Sequence, residues 1–173
     1  EVTEYIKKLN EVPEELPREA SPEQEAQKEE EKTYQNICPL KDSAYKIFRH
    51  LTEAAHADED QATKIDNGGA FMAVCVEVIR NISPDEELVS IAHYGEQNGD
   101  AMRDPEMIFY HNRKTGRAYA MTFRNDYLGS VEISILEDTK GRPKQVNRRR
   151  QRHHTDFAEQ WLRNIKHQQT LNI

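Results

Sequence analysis

The chain has 173 residues, 36% of them hydrophobic, with 24 Lys plus Arg against 31 Asp plus Glu and a formal net charge of −7. That length suits one domain of roughly 100 to 150 residues with tails and excludes a large multidomain enzyme. No apolar run approaches the roughly 18 to 20 residues that cross a bilayer, and the acidic start lacks the basic and apolar regions of a signal peptide, so the chain reads as cytoplasmic with no membrane partner. Two cysteines, Cys38 and Cys75, supply neither a disulfide framework nor a four-cysteine zinc site.

The charge falls into three unlike blocks. Residues 1–36 hold 11 acids and 5 bases, residues 37–139 hold 18 and 10, and residues 140–173 hold 2 and 9. The first block is rich in Glu, Gln, Lys, Pro and Ala and nearly devoid of apolar residues between Leu16 and Tyr34. It cannot bury enough surface to offset its chain entropy, so residues 1–36 read as an acidic linker or a solvated helix. Val2, Tyr5, Ile6 and Leu9 have helical spacing, and no initiator Met opens the chain. The expectation is a C-terminal piece of a longer protein carrying other domains.

Residues 37–173 are expected to form one α+β domain. Asp42 and Ser43 are helix starters, and Ala44, Ile47, Phe48, Leu51 and Ala55 follow as an apolar stripe, predicting a helix from about Ser43 to His56. Strands are expected over Phe71–Ile79, Leu88–Tyr94, Glu106–Tyr110, Tyr119–Phe123 and Val131–Leu136. Cys75, inside the first of these, reads as a small buried hydrophobe. The short polar links His111–Gly116 and Asn125–Gly129 favour antiparallel neighbours. Phe157, Ala158, Trp161, Leu162 and Ile165 mark a closing helix over 155–169, with Asp156 and Glu159 in capping-box spacing. The architecture is an antiparallel meander of about five strands with the N- and C-terminal helices packed on one face.

The densest chemistry lies in residues 93–106, where His93 precedes Glu96, Asn98, Asp100, Arg103, Asp104 and Glu106. Clustered carboxylates beside an imidazole suit a hard cation, but the spacing matches neither the calcium loop nor the two-histidine zinc helix, so no metal is assigned. His93 oriented by Asp100 or Asp104 is a usable general base, and Asp126 faces it if both loops occupy one end of the sheet. No nucleophile elbow, phosphate loop or dinucleotide fingerprint accompanies these residues, and no cofactor is implied. The competing reading is a long, internally bonded connection, with Asn98-Gly99 supplying the positive backbone angle and Arg103 pairing with a carboxylate.

The strongest electrostatic feature is the basic segment 140–154, in which Lys140, Arg142, Lys144, Arg148, Arg149, Arg150 and Arg152 fall within 13 residues. Such a run neutralises phosphates without reading sequence, since it lacks aromatics to stack on bases. A solvated loop balancing the acidic middle is the alternative. His153 and His154 read as helix-entry residues.

The runs AHYGEQNGDAMRDPEMIFY, TFRNDYLGSVE and FAEQWLRNIKHQ together resemble an uncharacterised domain of large polyvalent proteins of conjugative elements and phages, over roughly Tyr45 to Gln168. The resemblance is densest at Glu96-Gln97-Asn98-Gly99-Asp100 and Asp104-Pro105-Glu106. It implies a cytoplasmic module on a mobile element, attached to other domains and concerned with DNA transfer or evasion of host defence, and it implies no catalytic residue. The expected function is a non-catalytic interaction module contacting nucleic acid or a host-defence protein partner. The alternative is a metal-dependent hydrolase or nuclease using His93, Asp100 and Asp104, with Asp126.

Overall fold

The computed structural model describes residues 21–34 and 37–173, so the apolar stretch at Val2 to Leu9 lies outside the described residues. The chain divides between Glu31 and Lys32 into two units. Helix α1 (Pro22–Tyr34) begins in the first unit, and its start is a reciprocal capping box. Gln24 N donates to Ser21 Oγ (3.3 Å) and Ser21 N to Gln24 Oε1 (3.0 Å). Pro22 fits the first helical position and Glu23 and Glu25 the positive end of the helix dipole. Residues 21–28 are all exposed, so these local terms stand in for packing.

The second unit contains α2 (Asp42–His56), eight strands and α3 (Arg148–Gln168). The strands β1 (Ala62–Ile65), β2 (Val74–Ser83), β3 (Glu86–Gln97), β4 (Asp100–Asn112), β5 (Arg117–Asn125) and β6 (Ser130–Ile133) form one antiparallel sheet in chain order. Strands β7 (Ile135–Glu137) and β8 (Pro143–Val146) pair separately. The fold is therefore α+β with a meander of six strands rather than about five. The additional strand is β1, whose Ala-Thr-Lys-Ile has no buried residue and hence no apolar signature. The run Val131–Leu136 is broken by buried Ser134, whose N–H bonds Met121 O and whose carbonyl accepts from Asn147 N, so one apparent strand becomes two.

Residues 93–106 are not a long connection. Strands β3 and β4 continue through them, paired as far as Gln97 with Asp100, and only Asn98 (φ 54°) and Gly99 (φ 86°) form the turn. Two successive positive φ angles are what an Asn-Gly hairpin turn supplies. The first expected strand shifts as well: pairing with β3 begins at Val74, leaving Phe71 and Met72 exposed ahead of it.

Strand β3 is buried continuously from Glu87 to His93, because both faces of the sheet are covered there. One face, through Val76, Val89, Ile91, Met107 and Phe109, packs against Phe48 and Leu51 of α2 and Trp161, Leu162 and Ile165 of α3. The small Ala118 and Ala120 let the helices approach β5 closely. The opposite face, through Leu88, Tyr110, Tyr119 and Met121, packs under Ile37 and Ile135, with Tyr34 at its margin. Cys38 and Cys75 are both free and half-buried, and burial pushes the Cys75 thiol up.

Helix α3 starts at Arg148 rather than at residue 155. Its N-cap is Asn147, whose side chain accepts from Arg150 N (3.1 Å), so Asp156 and Glu159 form no capping box. Glu159 serves a different helix: its Oε1 accepts from Lys41 N (3.0 Å), at the start of α2, where Lys41 itself offers no side-chain cap. Fully buried Gln151 joins α3 to the segment before α2, accepting from Cys38 N (2.9 Å) and donating to Cys38 O (3.0 Å). No helix among the described residues is long and apolar enough to cross a membrane.

At the start of β3, Glu86 receives Arg142 in a two-pronged pair (Nε 2.9 Å, Nη2 2.8 Å), with Tyr110 Oη donating at 2.6 Å and Ser83 Oγ at 2.8 Å. The Arg142 bonds hold the Glu86 carboxyl down to about 2, against the upward push of burial, and Tyr110 and Ser83 add to the effect. A folded pKa below the unfolded one stabilises the fold above about pH 4.5 and loses that contribution as pH falls towards 2. We expect Arg142→Met to cost about 1.5–3 kcal/mol at neutral pH and to flatten the fall in stability below pH 4.5. Urea melts from pH 6 to 2.5 read both, and parallel pH profiles would remove the clamp from the account.

Candidate functional site

Of the residues singled out in the sequence, His93 and Asp104 are brought together. Both line a cavity of about 380 Å³ with Phe71, Met72, Pro105 and Trp161, on the helix-bearing face of the sheet. His93 is buried, its Nδ1 lies 3.0 Å from Ala73 O, and its ring stands edge-on to Trp161 at 5.4 Å. A carbonyl only accepts, so Nδ1 carries the proton; burial also favours the neutral ring, lowering its pKa against the Ala73 bond and the charge of Asp104. Asp104 Oδ1 is already engaged by Asn125 Nδ2 at 2.8 Å.

The remaining members divide between the hairpin tip and a second cluster of Arg103, Glu106 and Asp126. Asp100 and Glu96 are exposed beside the hairpin turn and Asn98 forms it. Arg103 and Glu106, three residues apart, share the other face of the sheet because the register of β3 on β4 shifts between Ala92 and Tyr94. There Arg103 Nε lies 2.8 Å from Glu106, and Ser90 Oγ donates to Glu106 at 2.8 Å. Asp126 caps this end: its carboxylate accepts from Arg103 N (2.9 Å) and Arg124 Nε (2.7 Å). The Arg103 backbone bond first, then Arg124, lower the Asp126 pKa. Among the described residues no group of three or more His, Cys, Asp or Glu side chains is arranged to hold a metal ion.

The basic segment splits into two kinds of residue. Arg142 is turned inward onto Glu86, and Arg150 donates to Ile133 O (3.1 Å) with Glu132 at 4.0 Å. Lys140, in the turn before β8, Lys144 on β8, and Arg148, Arg149 and Arg152 on the first turns of α3 are exposed. No acid occupies the first turn of α3. His154 is buried and structural, facing Ser134 Oγ (2.9 Å) and Glu132 (3.3 Å), and burial lowers its pKa.

One constellation carries no motif in the sequence. Glu87, fully buried on β3, lies 2.8 Å from His111 Nδ1 and 2.9 and 3.1 Å from His56 Nε2 through its two oxygens. His111 Nε2 in turn lies 3.0 Å from Tyr45 Oη. Burial pushes the Glu87 carboxyl up, but the bonds from His111 and His56 outweigh it and leave it below the usual carboxylate range. Because a carboxylate only accepts, His111 carries its proton on Nδ1, and its Nε2 lone pair faces the Tyr45 hydroxyl. Tyr45, His56 and His111 line a cavity of about 490 Å³ with Arg49, Glu53 and Arg113. The four residues come from α2, β3 and β4, spread over residues 45–111, so only the register of β3 on β4, which sets Glu87 opposite His111, brings them together. The one available signal was Glu87 itself, an acid at the head of an apolar run.

The fold and these sites define a small α+β domain whose titratable residues gather on one sheet, with an exposed arginine cluster on its last helix. The chain belongs to the family described as a domain of unknown function, DUF6908, whose profile matches residues 44–171. No curated protein and no solved structure matches the chain.

The relay predicts a definite tautomer. Long-range ¹H–¹⁵N spectra should find neutral His111 as the Nδ1–H form, and Glu87→Gln should cost about 1–3 kcal/mol of stability. An Nε2–H imidazole would reverse the bond to Tyr45 and remove the relay.

Proposed function

We propose that this domain contacts nucleic acid through the exposed cations of its C-terminal segment, as a cytoplasmic module of a longer mobile-element protein. The observation that carries the reading is the placement of Arg148, Arg149 and Arg152 on the first turns of α3. The helix dipole disfavours cations there, and no acid in that turn compensates them, so their placement is better suited to an external anion than to stability. Lys140 and Lys144 extend the cationic stretch, whereas Arg142, engaged by Glu86, is not part of it. Such a surface favours the phosphate backbone over base edges and gives salt-dependent, sequence-indifferent binding. A nucleic acid fits it better than a protein partner, because the segment offers charge with little apolar area.

The hydrolase alternative retains His93 and Asp104 in one cavity, and a divalent-metal thermal-shift series tests it: no stabilisation would end it. For the nucleic-acid reading, anisotropy titrations of a generic duplex between 50 and 200 mM salt are expected to give a steep linear log–log dependence. Replacing Arg148, Arg149 and Arg152 by Gln should reduce the slope by about 2 to 3, roughly 0.9 per phosphate contact. Absent binding at low salt, or an unchanged slope in the triple variant, would overturn the reading.

A further inference from the structure

The cavity between α2 and the end of β4 has the parts of a covalent phosphate-transfer site. A nucleophile needs a base within hydrogen-bond reach, and the base needs a third group to fix its tautomer and stabilise the cation it becomes. Tyr45 Oη, His111 and Glu87 stand in that order, with contacts of 3.0 and 2.8 Å. Glu87 suits the third role because it is fully buried and its Oε2, 2.9 Å from His56, has no hydrogen bond directed at it. Tyr45 is only half-buried and lines the cavity, so a ligand there can reach its hydroxyl. Arg49, paired with Glu53 at 3.3 Å, and Arg113, whose Nη2 donates to Pro84 O, line the same cavity, and the remaining guanidinium N–H groups match phosphate oxygens.

We propose that this cavity is a phosphate-ester site in which Tyr45 is the nucleophile and His111 its general base, with Glu87 as the positioning residue. Tyr45 Oη attacks phosphorus and the new O–P bond forms as the bond from phosphorus to the leaving oxygen breaks. The phenol proton passes to His111 Nε2, where the imidazolium is held against Glu87, and the leaving oxygen, departing in line on the far side of phosphorus, takes its proton from solvent in the open cavity. The products are a phosphotyrosyl intermediate and an alcohol; a water then attacks phosphorus from the open side, losing its proton to solvent, and the His111 imidazolium returns the stored proton to Tyr45 Oη as the phosphate leaves. Burial pushes the Tyr45 phenol above its ordinary range, so the hydroxyl depends on a base.

The test incubates the full chain with p-nitrophenyl phosphate, with bis(p-nitrophenyl) phosphate and with a labelled single-stranded oligonucleotide. Product release and intact-mass peptide mapping are followed together. Turnover of the monoester alone assigns a small phosphate monoester, and turnover of the diester or oligonucleotide assigns a phosphodiester; either supports the proposal. Tyr45→Phe should still melt cooperatively, with a modest fall in melting temperature for the lost bond to His111, yet lose at least about 100-fold in rate and the phosphoryl adduct on Tyr45, while Tyr127→Phe retains both. Glu87→Gln should lower kcat more than it raises KM. No turnover of any of the three, or turnover that survives Tyr45→Phe, overturns the proposal. The triple Arg148, Arg149 and Arg152 variant should still process the two small esters, which separates this site from the contact on α3.

Discussion

Two adjacent carboxylates at the head of β3 set the terms on which the rest of the second unit assembles. Side chains alternate across a strand, so Glu86 and Glu87 leave by opposite faces of the sheet. Glu86 meets Arg142, Tyr110 and Ser83 under the β7–β8 side, and Glu87 meets His56 of α2 and His111 of β4 under the helices. Fully buried Glu87 is not tolerable without its partners, because an uncompensated charge at that depth costs several kcal/mol, and half-buried Glu86 draws on Arg142 in the same way at smaller cost. The position of α2 and the path of the chain after β7 are thus both fixed by what β3 must neutralise. Apolar packing supplies most of the stability and fixes strand register, and these donors add a specific partner for each carboxylate.

Helix α3 is asymmetric along its length for a related reason. Its middle and end carry Ala158, Trp161, Leu162 and Ile165 into the core, and Glu159 closes the start of α2. Its first turns bury Gln151 and His154 while carrying arginines outward. Burial on one side anchors the turn, so that unfavourable charge–dipole terms of a few tenths of a kcal/mol per residue do not fray it. A helix held in this way can present cations at its positive end.

The fold was readable wherever burial leaves a periodic trace. Helix α2 and the hairpins at His111–Gly116 and Asn125–Gly129 follow directly from apolar spacing and turn chemistry. Strand β1 left no trace because an edge strand of four residues, none of them buried, needs none, and Ser134 hid a strand break inside an apolar run. The start of α3 was misplaced because its cap, Asn147, precedes a run of arginines instead of an apolar stripe. Residues 93–106 were legible as a cluster but not as a hairpin, and alternation across β4 is what parts Arg103 from Asp104. The Tyr45–His111–Glu87 series was invisible for a deeper reason: its members share no local spacing, and only strand register and a helix crossing make them neighbours.

That distinction bears on how a buried acid such as Glu87 is to be weighed. Replacing a buried ionic group by well-packed apolar residues is often neutral or stabilising, so stability alone gives no reason for a carboxylate at this position. Two imidazoles aimed at it reduce the cost without removing it, since Oε2 has no hydrogen bond directed at it. An acid placed only to pin α2 needs a single partner, and His56 suffices. The second imidazole, His111, looks the other way, to a hydroxyl on the wall of a cavity flanked by arginines. A group that costs stability and orients a base towards open space is better explained by what enters that space than by the fold around it.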